Sequence, residues 1–306
     1  MKRVIAILGP TGVGKSRLAL QLAPGCNGEI VNADSRQVYR LMDIGTAKLS
    51  PSELDQVPHH LVNSFMPDLA FSVGEYQSLA YSAISDIHRR HKIPMLVGGS
   101  GQYLWAVLEG WQVPKLSPLS VAGREEEGRL TEAEKAALYR ELVKRDPQAA
   151  ASIDPKNIRR VLRALEVIKN TGVLFSKSGG KKPPGFQTLI IGLTLERETL
   201  YQRVDKRVDD MLAEGLLDET RRLVEAGYGG ALPAMSSIGY RQLLAYIAGE
   251  IPLAEAVRQI KTGTHRFIRQ QYNWFRLADP RIKWLNADEN LAEQAAGIID
   301  VFLRSG

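Results

Sequence analysis

Two groups of residues in this chain could do chemistry. The first is Gly9-Pro10-Thr11-Gly12-Val13-Gly14-Lys15-Ser16, which matches G-x-x-x-x-G-K-[ST]. Its glycines let backbone N–H groups wrap phosphate oxygens, Lys15 adds a cation, and the Ser16 hydroxyl can hold Mg²⁺. An apolar β-rich run, residues 3 to 8, precedes it, and a stretch of helical spacing, Ser16 to Leu22, follows it. A helix N-terminus would therefore aim its positive end at the same anion. The motif calls for a diphosphate or triphosphate and leaves the reaction open. The second group is Asn32-Ala33-Asp34-Ser35, after the apolar run 29 to 31. An ATPase or GTPase of P-loop type needs an apolar strand ending in an Asp that holds Mg²⁺. The candidate run Pro94-Met95-Leu96-Val97 ends instead in Gly98-Gly99-Ser100-Gly101. That leaves Asp34 as the strand-end carboxylate near the P-loop, where open α/β sheets place ligand chemistry. Spacing alone reads Asp34 equally as a reactive carboxylate or as the cap of a turn.

The elements that must position these groups alternate strand and helix. Apolar runs at 3–8, 29–31 and 95–97, with helical spacing over Gly74 to Arg90, predict an α/β fold: a P-loop NTPase-like parallel sheet covered by helices. From residue 114 the character changes. A Pro/Ser-rich join over residues 113–120 leads to a charged helix, Thr131 to Arg145, and to helix starts or breaks at Asp146-Pro147 and Asp154-Pro155. Ser178-Gly179-Gly180-Lys181-Lys182-Pro183-Pro184-Gly185 closes the stretch with the composition of an exposed link. We read residues 114–186 as an inserted all-helical domain between a first core part, 1–113, and a second, 187–306. The run Thr188 to Leu195 predicts a return to the sheet, and a helical C-terminal region follows, with helices over 197–214, 217–226, 238–248, 253–277 and 291–303.

Composition bounds the partners. The 306 residues are 44% hydrophobic and 24% charged, as expected of a folded soluble chain, and 40 Lys+Arg against 34 Asp+Glu give +6, a lean toward a polyanion. The lone Cys26 cannot form an internal disulfide, and the apolar start is too short for a signal or membrane span. These features predict a cytoplasmic protein with no membrane partner. His59-His60 is no metal pair, because neighbours on a strand point to opposite faces. Trp105 and Trp111 read as core or hinge packing.

The P-loop and seven further separated segments, in order, resemble the tRNA dimethylallyltransferase family, as far as about Arg276. After the P-loop and Asn32 to Tyr39 come Met42-Asp43-Ile44-Gly45-Thr46-Ala47-Lys48, Val57-Pro58-His59-His60-Leu61 and Gly98-Gly99-Ser100-Gly101-Gln102-Tyr103-Leu104. The Arg-rich helix Ile158 to Val167, Ser237 to Gln242 and Thr264 to Arg276 complete the set. Ser100 stands where the family usually has Thr, Gln102 where it has an apolar residue, and Gln270 where many members have Arg.

The resemblance implies transfer of a dimethylallyl group from dimethylallyl diphosphate to the N6 amine of the adenosine 3′ of the anticodon, tRNA position 37. It implies Asp34, Thr11 and Arg207 as the catalytic set, with Asp34 as base, residues 9–16 as the diphosphate loop, and Mg²⁺ on Ser16. Contacts to the tRNA anticodon stem-loop would come from Asp34, Ser35, Arg36 and Gln37, from Ser100 and Arg124, and from Arg159, Arg160, Val161, Leu162 and Arg163. Ser237, Ile238, Gly239, Tyr240, Arg241 and Gln242 would join them, with Arg269, Gln270, Gln271, Tyr272, Asn273, Trp274, Phe275 and Arg276. The chain is expected to act as a monomer. On the last helix Ile268, Gln271, Tyr272 and Phe275 share one face, and Arg266, Arg269, Asn273 and Arg276 another, a stripe able to touch phosphates or simply to be solvated. A small-molecule P-loop kinase and a prenyltransferase of free adenine nucleotides remain as alternatives, one lacking its strand-end carboxylate, the other needing no distant Arg-bearing helices.

Overall fold

The computed structural model describes residues 2–113, 130–288 and 290–305. Six parallel strands form one sheet in the order β3-β2-β4-β1-β5-β6. They span Arg3–Leu8 (β1), Gly28–Asn32 (β2), His59–His60 (β3), Ile93–Gly98 (β4), Gln187–Thr194 (β5) and Ile282–Asn286 (β6). Side chains of β1 alternate across the sheet. Ile5 and Ile7 enter one core cluster with Leu18, Met95 and Ile191, while Val4, Ala6 and Leu8 enter the other with Tyr76, Ile84 and Leu104. Both faces are covered, which is why the central strand is continuously apolar. β5 pairs with β1 from Arg3↔Gln187 to Leu8↔Gly192, so the chain does return to the first sheet after residue 186.

The helices are α1 (Lys15–Leu22), α2 (Pro51–Leu54), α3 (Val73–Arg89) and α4 (Gly101–Leu108), then α5 (Glu132–Arg145), α6 (Pro147–Ser152) and α7 (Ile158–Thr171), and after β5 come α8 (Arg197–Ala213), α9 (Leu216–Glu225), α10 (Tyr240–Ile247), α11 (Leu253–Trp274) and α12 (Leu291–Arg304). Ser72 and Thr131 start α3 and α5 with capping boxes to Glu75 and Glu134. Helices α5 to α7 bury a cluster of their own around Leu142, Ala149, Ile153, Val161 and Ala164. The chain leaves for them and returns through an antiparallel bridge, Trp111 to Lys181, flanked by Gln112 N–H to Gly180 O and Lys182 N–H to Gly110 O. No helix among the described residues is long and apolar enough to cross a membrane.

One strand, β6, was not expected, while the His59-His60 strand joins the sheet as β3. β3 is only two residues long, and β6 is an edge strand whose burial alternates, with Lys283 exposed and Ile282 buried. A half-buried edge carries a weaker apolar signal than β1. Helix α11 ends at Trp274, three residues short of the expected end.

Candidate active site

The order β2-β4-β1 puts the C-terminal ends of three strands side by side. Whatever follows each strand meets at one edge: the P-loop after β1, Asp34 after β2, and Gly99-Ser100 after β4. The P-loop backbone takes positive φ at Gly9, Gly12 and Gly14, where side chains are strained. Gly9 also has no room, since a Cβ would stand 2.5 Å from Leu193 O. Gly14 caps α1, whose first turn carries no acidic residue, so its N-terminus stays receptive to an anion.

Three charged groups face one another here. Lys15 Nζ donates to Pro10 O over 2.7 Å, and burial lowers its pKa to about 8, opposed by Asp34 and assisted by Arg207. Arg207, on α8, donates through Nη2 to Thr11 Oγ1 over 3.0 Å. Burial lowers its pKa too, with Asp34 opposing. Arg207 Nε is buried with no protein partner. A cationic donor left without an acceptor in a buried site implies an anion to fill it. Asp34 Oδ1 accepts from Arg36 N over 2.8 Å, so the carboxylate does cap its turn, while the field it exerts on Lys15 and Arg207 places it in the site as well. Asp34 thus caps its turn and also bears on the two cations of the site.

Around this centre the loops are cross-tied. Ser100 Oγ accepts from Ser35 N over 2.9 Å, joining the β4 and β2 loops. Arg36 Nη1 reaches Pro233 O, and Gln37 Nε2 reaches Thr46 O and Ala47 O. Ser16 lines a cavity of ≈ 20 Å³ with Asn32, Gln37 and His59, room for about one water. No group of three or more His, Cys, Asp or Glu able to hold a metal occurs among the described residues. This donor set suits Mg²⁺, which binds through one or two protein oxygens plus water and substrate phosphate. A larger cavity, ≈ 430 Å³, lies at the other end of the sheet against Lys2, Tyr81, Trp111 and Phe186, remote from the P-loop.

The remaining sequence-selected residues divide by exposure. On α7, Arg159 and Arg160 are exposed, Leu162 and Arg163 half-buried with Arg163 paired to Glu166, and Val161 sits in the helical cluster. On α11, Arg269, Gln270, Asn273 and Trp274 are exposed, as is Arg276 just beyond it, while Tyr272 is half-buried and bonded to Thr194 Oγ1. Phe275 is in the core. Gln271 is also buried, bonded to the P-loop rather than turned outward. In the 237–242 segment only Arg241 is exposed. Ser237 bonds Ala234 O, Gln242 Oε1 accepts from Gly239 N, and Tyr240 donates to Glu219 Oε1 over 2.6 Å. Ile238 is half-buried in the same cluster as Tyr240. Arg124 lies outside the described residues. Sequence reasoning missed Glu219, whose carboxylate also accepts from the N–H groups of Asp43, Ile44 and Gly45. It also missed Tyr201, which stacks on His265 at 4.0 Å and accepts from Arg269. Only the Glu-Thr polar pair on the buried face of an amphipathic helix could have flagged Glu219.

Residues 37–278 match the model of the IPP transferase family. A protein of Dehalococcoides mccartyi called tRNA dimethylallyltransferase is 52% identical over 99% of this chain and 93% of its own length. One of the same name from Roseiflexus sp. is 51% identical over 97% of each. Among solved structures, a full-length tRNA isopentenylpyrophosphate transferase from Bacillus halodurans has a TM-score of 0.73 at 38% identity, covering 98% of this chain and 96% of that one. A eukaryotic dimethylallyltransferase described as acting on tRNA reaches 0.81 at 32% identity, over 99% of this chain and 80% of that chain. The chain belongs to the IPP transferase family.

Proposed function

We propose that this chain transfers a dimethylallyl group from dimethylallyl diphosphate to the N6 amine of the adenosine 3′ of a tRNA anticodon, position 37. The observation that carries the reading is Asp34 opposite Lys15 and Arg207 at the mouth of the P-loop, a base facing an anion cradle. The adenine amine is a poor nucleophile because its lone pair is delocalised into the ring. Asp34 takes its proton as the N–C bond forms and the allylic C–O bond breaks. Charge then grows on the departing diphosphate, where the P-loop N–H groups, Lys15 and the orphan face of Arg207 stabilise it. Ser16, with the diphosphate, would hold Mg²⁺, which supplies further positive charge to the leaving group. Thr11 fixes the Arg207 guanidinium by accepting from it. The target base must leave its stacked loop to reach Asp34. Exposed Arg159 and Arg160 on α7, and Arg269 and Arg276 at the end of α11, offer cations to the RNA backbone. We assign residues 114–186 as an inserted domain carrying the first of these surfaces.

Digestion of unmodified tRNA after incubation with the protein, Mg²⁺ and dimethylallyl diphosphate tests this. N6-(dimethylallyl)adenosine should be found next to the anticodon. Product confined to added free adenine nucleotide would favour the free-nucleotide prenyltransferase.

A further inference from the structure

Gln271 occupies a position that neither catalysis nor RNA contact explains. It lies on α11, is 3% exposed, and spends its whole amide on two loops of the site. Its Oε1 accepts from Thr11 N over 2.9 Å, and its Nε2 donates to Gly99 O over 2.9 Å. The fit is close, since a Cβ on Gly99 would stand 2.5 Å from Gln271 Nε2 and 3.5 Å from Lys15 Nζ. Each loop continues into the chemistry. Thr11 holds Arg207 on the donor side. Gly99 leads to Ser100, which accepts from Ser35 N beside Asp34 on the acceptor side. One turn further along α11, Trp274 covers Gly101, where a Cβ would collide with the indole, so the helix grips the residue 98–101 loop at two points. The opposite face of this same helical end exposes Arg269 and Asn273.

We propose that Gln271 is a positioning residue that couples acceptor docking to the donor loop. RNA held on the outer face of α11 restrains the helix end, and Gln271 passes that restraint to Thr11, and so to Arg207, and to Gly99 and the Asp34 loop. The inference rests on the reading that RNA docks on α11. A brace of purely structural role would support each loop without making one ligand sensitive to the other.

The test measures the affinity of inorganic diphosphate with Mg²⁺, with and without a saturating anticodon stem-loop, and the reciprocal affinity of the stem-loop with and without diphosphate. In the parent each should tighten the other by the same factor, about fivefold or more. Gln271→Leu and Gln271→Met keep the side-chain bulk and remove both bonds. In these variants the factor should fall to near one, while the stem-loop alone binds within about threefold of the parent, because Gln271 is buried. A variant that keeps the parent's factor, whatever its melting temperature, overturns the proposal. A second arm needs no variant: exchange of the Thr11 amide proton in the parent should slow when the stem-loop binds, and unchanged exchange overturns the proposal too. A parent that fails to bind the stem-loop at all would refute the docking reading itself, whereas binding without coupling refutes only the role of Gln271.

Discussion

Arg207 Nη2 donates to Thr11 Oγ1 across 196 positions of sequence, while Arg207 Nε, on the same guanidinium, is buried with no partner. Half of the planar fork is thus anchored to the P-loop and half awaits an acceptor. Lysine cannot divide itself in this way, being a single point of charge on a flexible stem. Arg207→Lys should therefore behave nearly as badly as Arg207→Ala. Both should lower kcat about a hundredfold, which corresponds to ~3 kcal/mol for one lost leaving-group donor. Single-turnover kinetics with enzyme in excess over tRNA and dimethylallyl diphosphate saturating would measure it, and a lysine variant within a few-fold of the parent would refute the divided-fork account.

Asp34 provides a cleaner separation of roles. Asp34→Asn keeps an oxygen for Arg36 N–H and so keeps the turn, but it removes basicity. Turnover should fall about a hundredfold to ten-thousandfold, the range for a lost general base, with donor and tRNA affinity retained. Activity within a few-fold of the parent would leave Asp34 as a cap alone.

The lowered Lys15 pKa, about 8, sets a pH dependence for donor binding. The diphosphate prefers the ammonium form, so binding is strongest below that pH and is lost as pH rises through it. Affinity for diphosphate should be flat from pH 7 toward 8 and then weaken by up to about tenfold per unit. Lys15→Met should bind weakly at every pH and show no break near 8. A break that persists in the variant would belong to another group.

Much of this site was legible before the fold was. The P-loop announces itself because backbone chemistry demands glycines at fixed spacing, and β1, buried on both faces, has no polar residue between Val4 and Leu8. Asp34 was found by its place at a strand end. Other features could not be read. β6 reaches the sheet only through pairing with β5, so its short, half-exposed run resembles a loop. The Gln271 to Thr11 bond spans 260 positions, and nothing local at either residue signals the other. The 237–242 segment resembles a binding motif in sequence, yet burial turns most of it inward.

That last placement has its own test. Tyr240→Phe removes the hydroxyl from the buried Glu219 carboxylate, and should cost stability of about 1–3 kcal/mol, read as a lower melting temperature. The salt dependence of tRNA binding should be unchanged. By contrast, Arg159→Ala and Arg269→Ala, on exposed surfaces, should each weaken tRNA binding and flatten the log–log salt slope by about one unit or slightly less, with donor affinity unaltered. A flattened slope for the Tyr240 variant, or unaltered slopes for both arginine variants, would put the RNA surface elsewhere.

On the proposed reading the P-loop serves a leaving diphosphate and not a transferred phosphoryl group. The protein, Mg²⁺ and unmodified tRNA should be incubated in parallel with dimethylallyl diphosphate labelled in its allyl carbons and with ATP labelled in its γ-phosphate. We expect the allyl label to enter tRNA with release of diphosphate and no need for ATP, and the phosphate label to stay out of every acceptor. Transfer of the γ-phosphate to any acceptor, with no allyl label in tRNA, would contradict the account and make the chain a kinase.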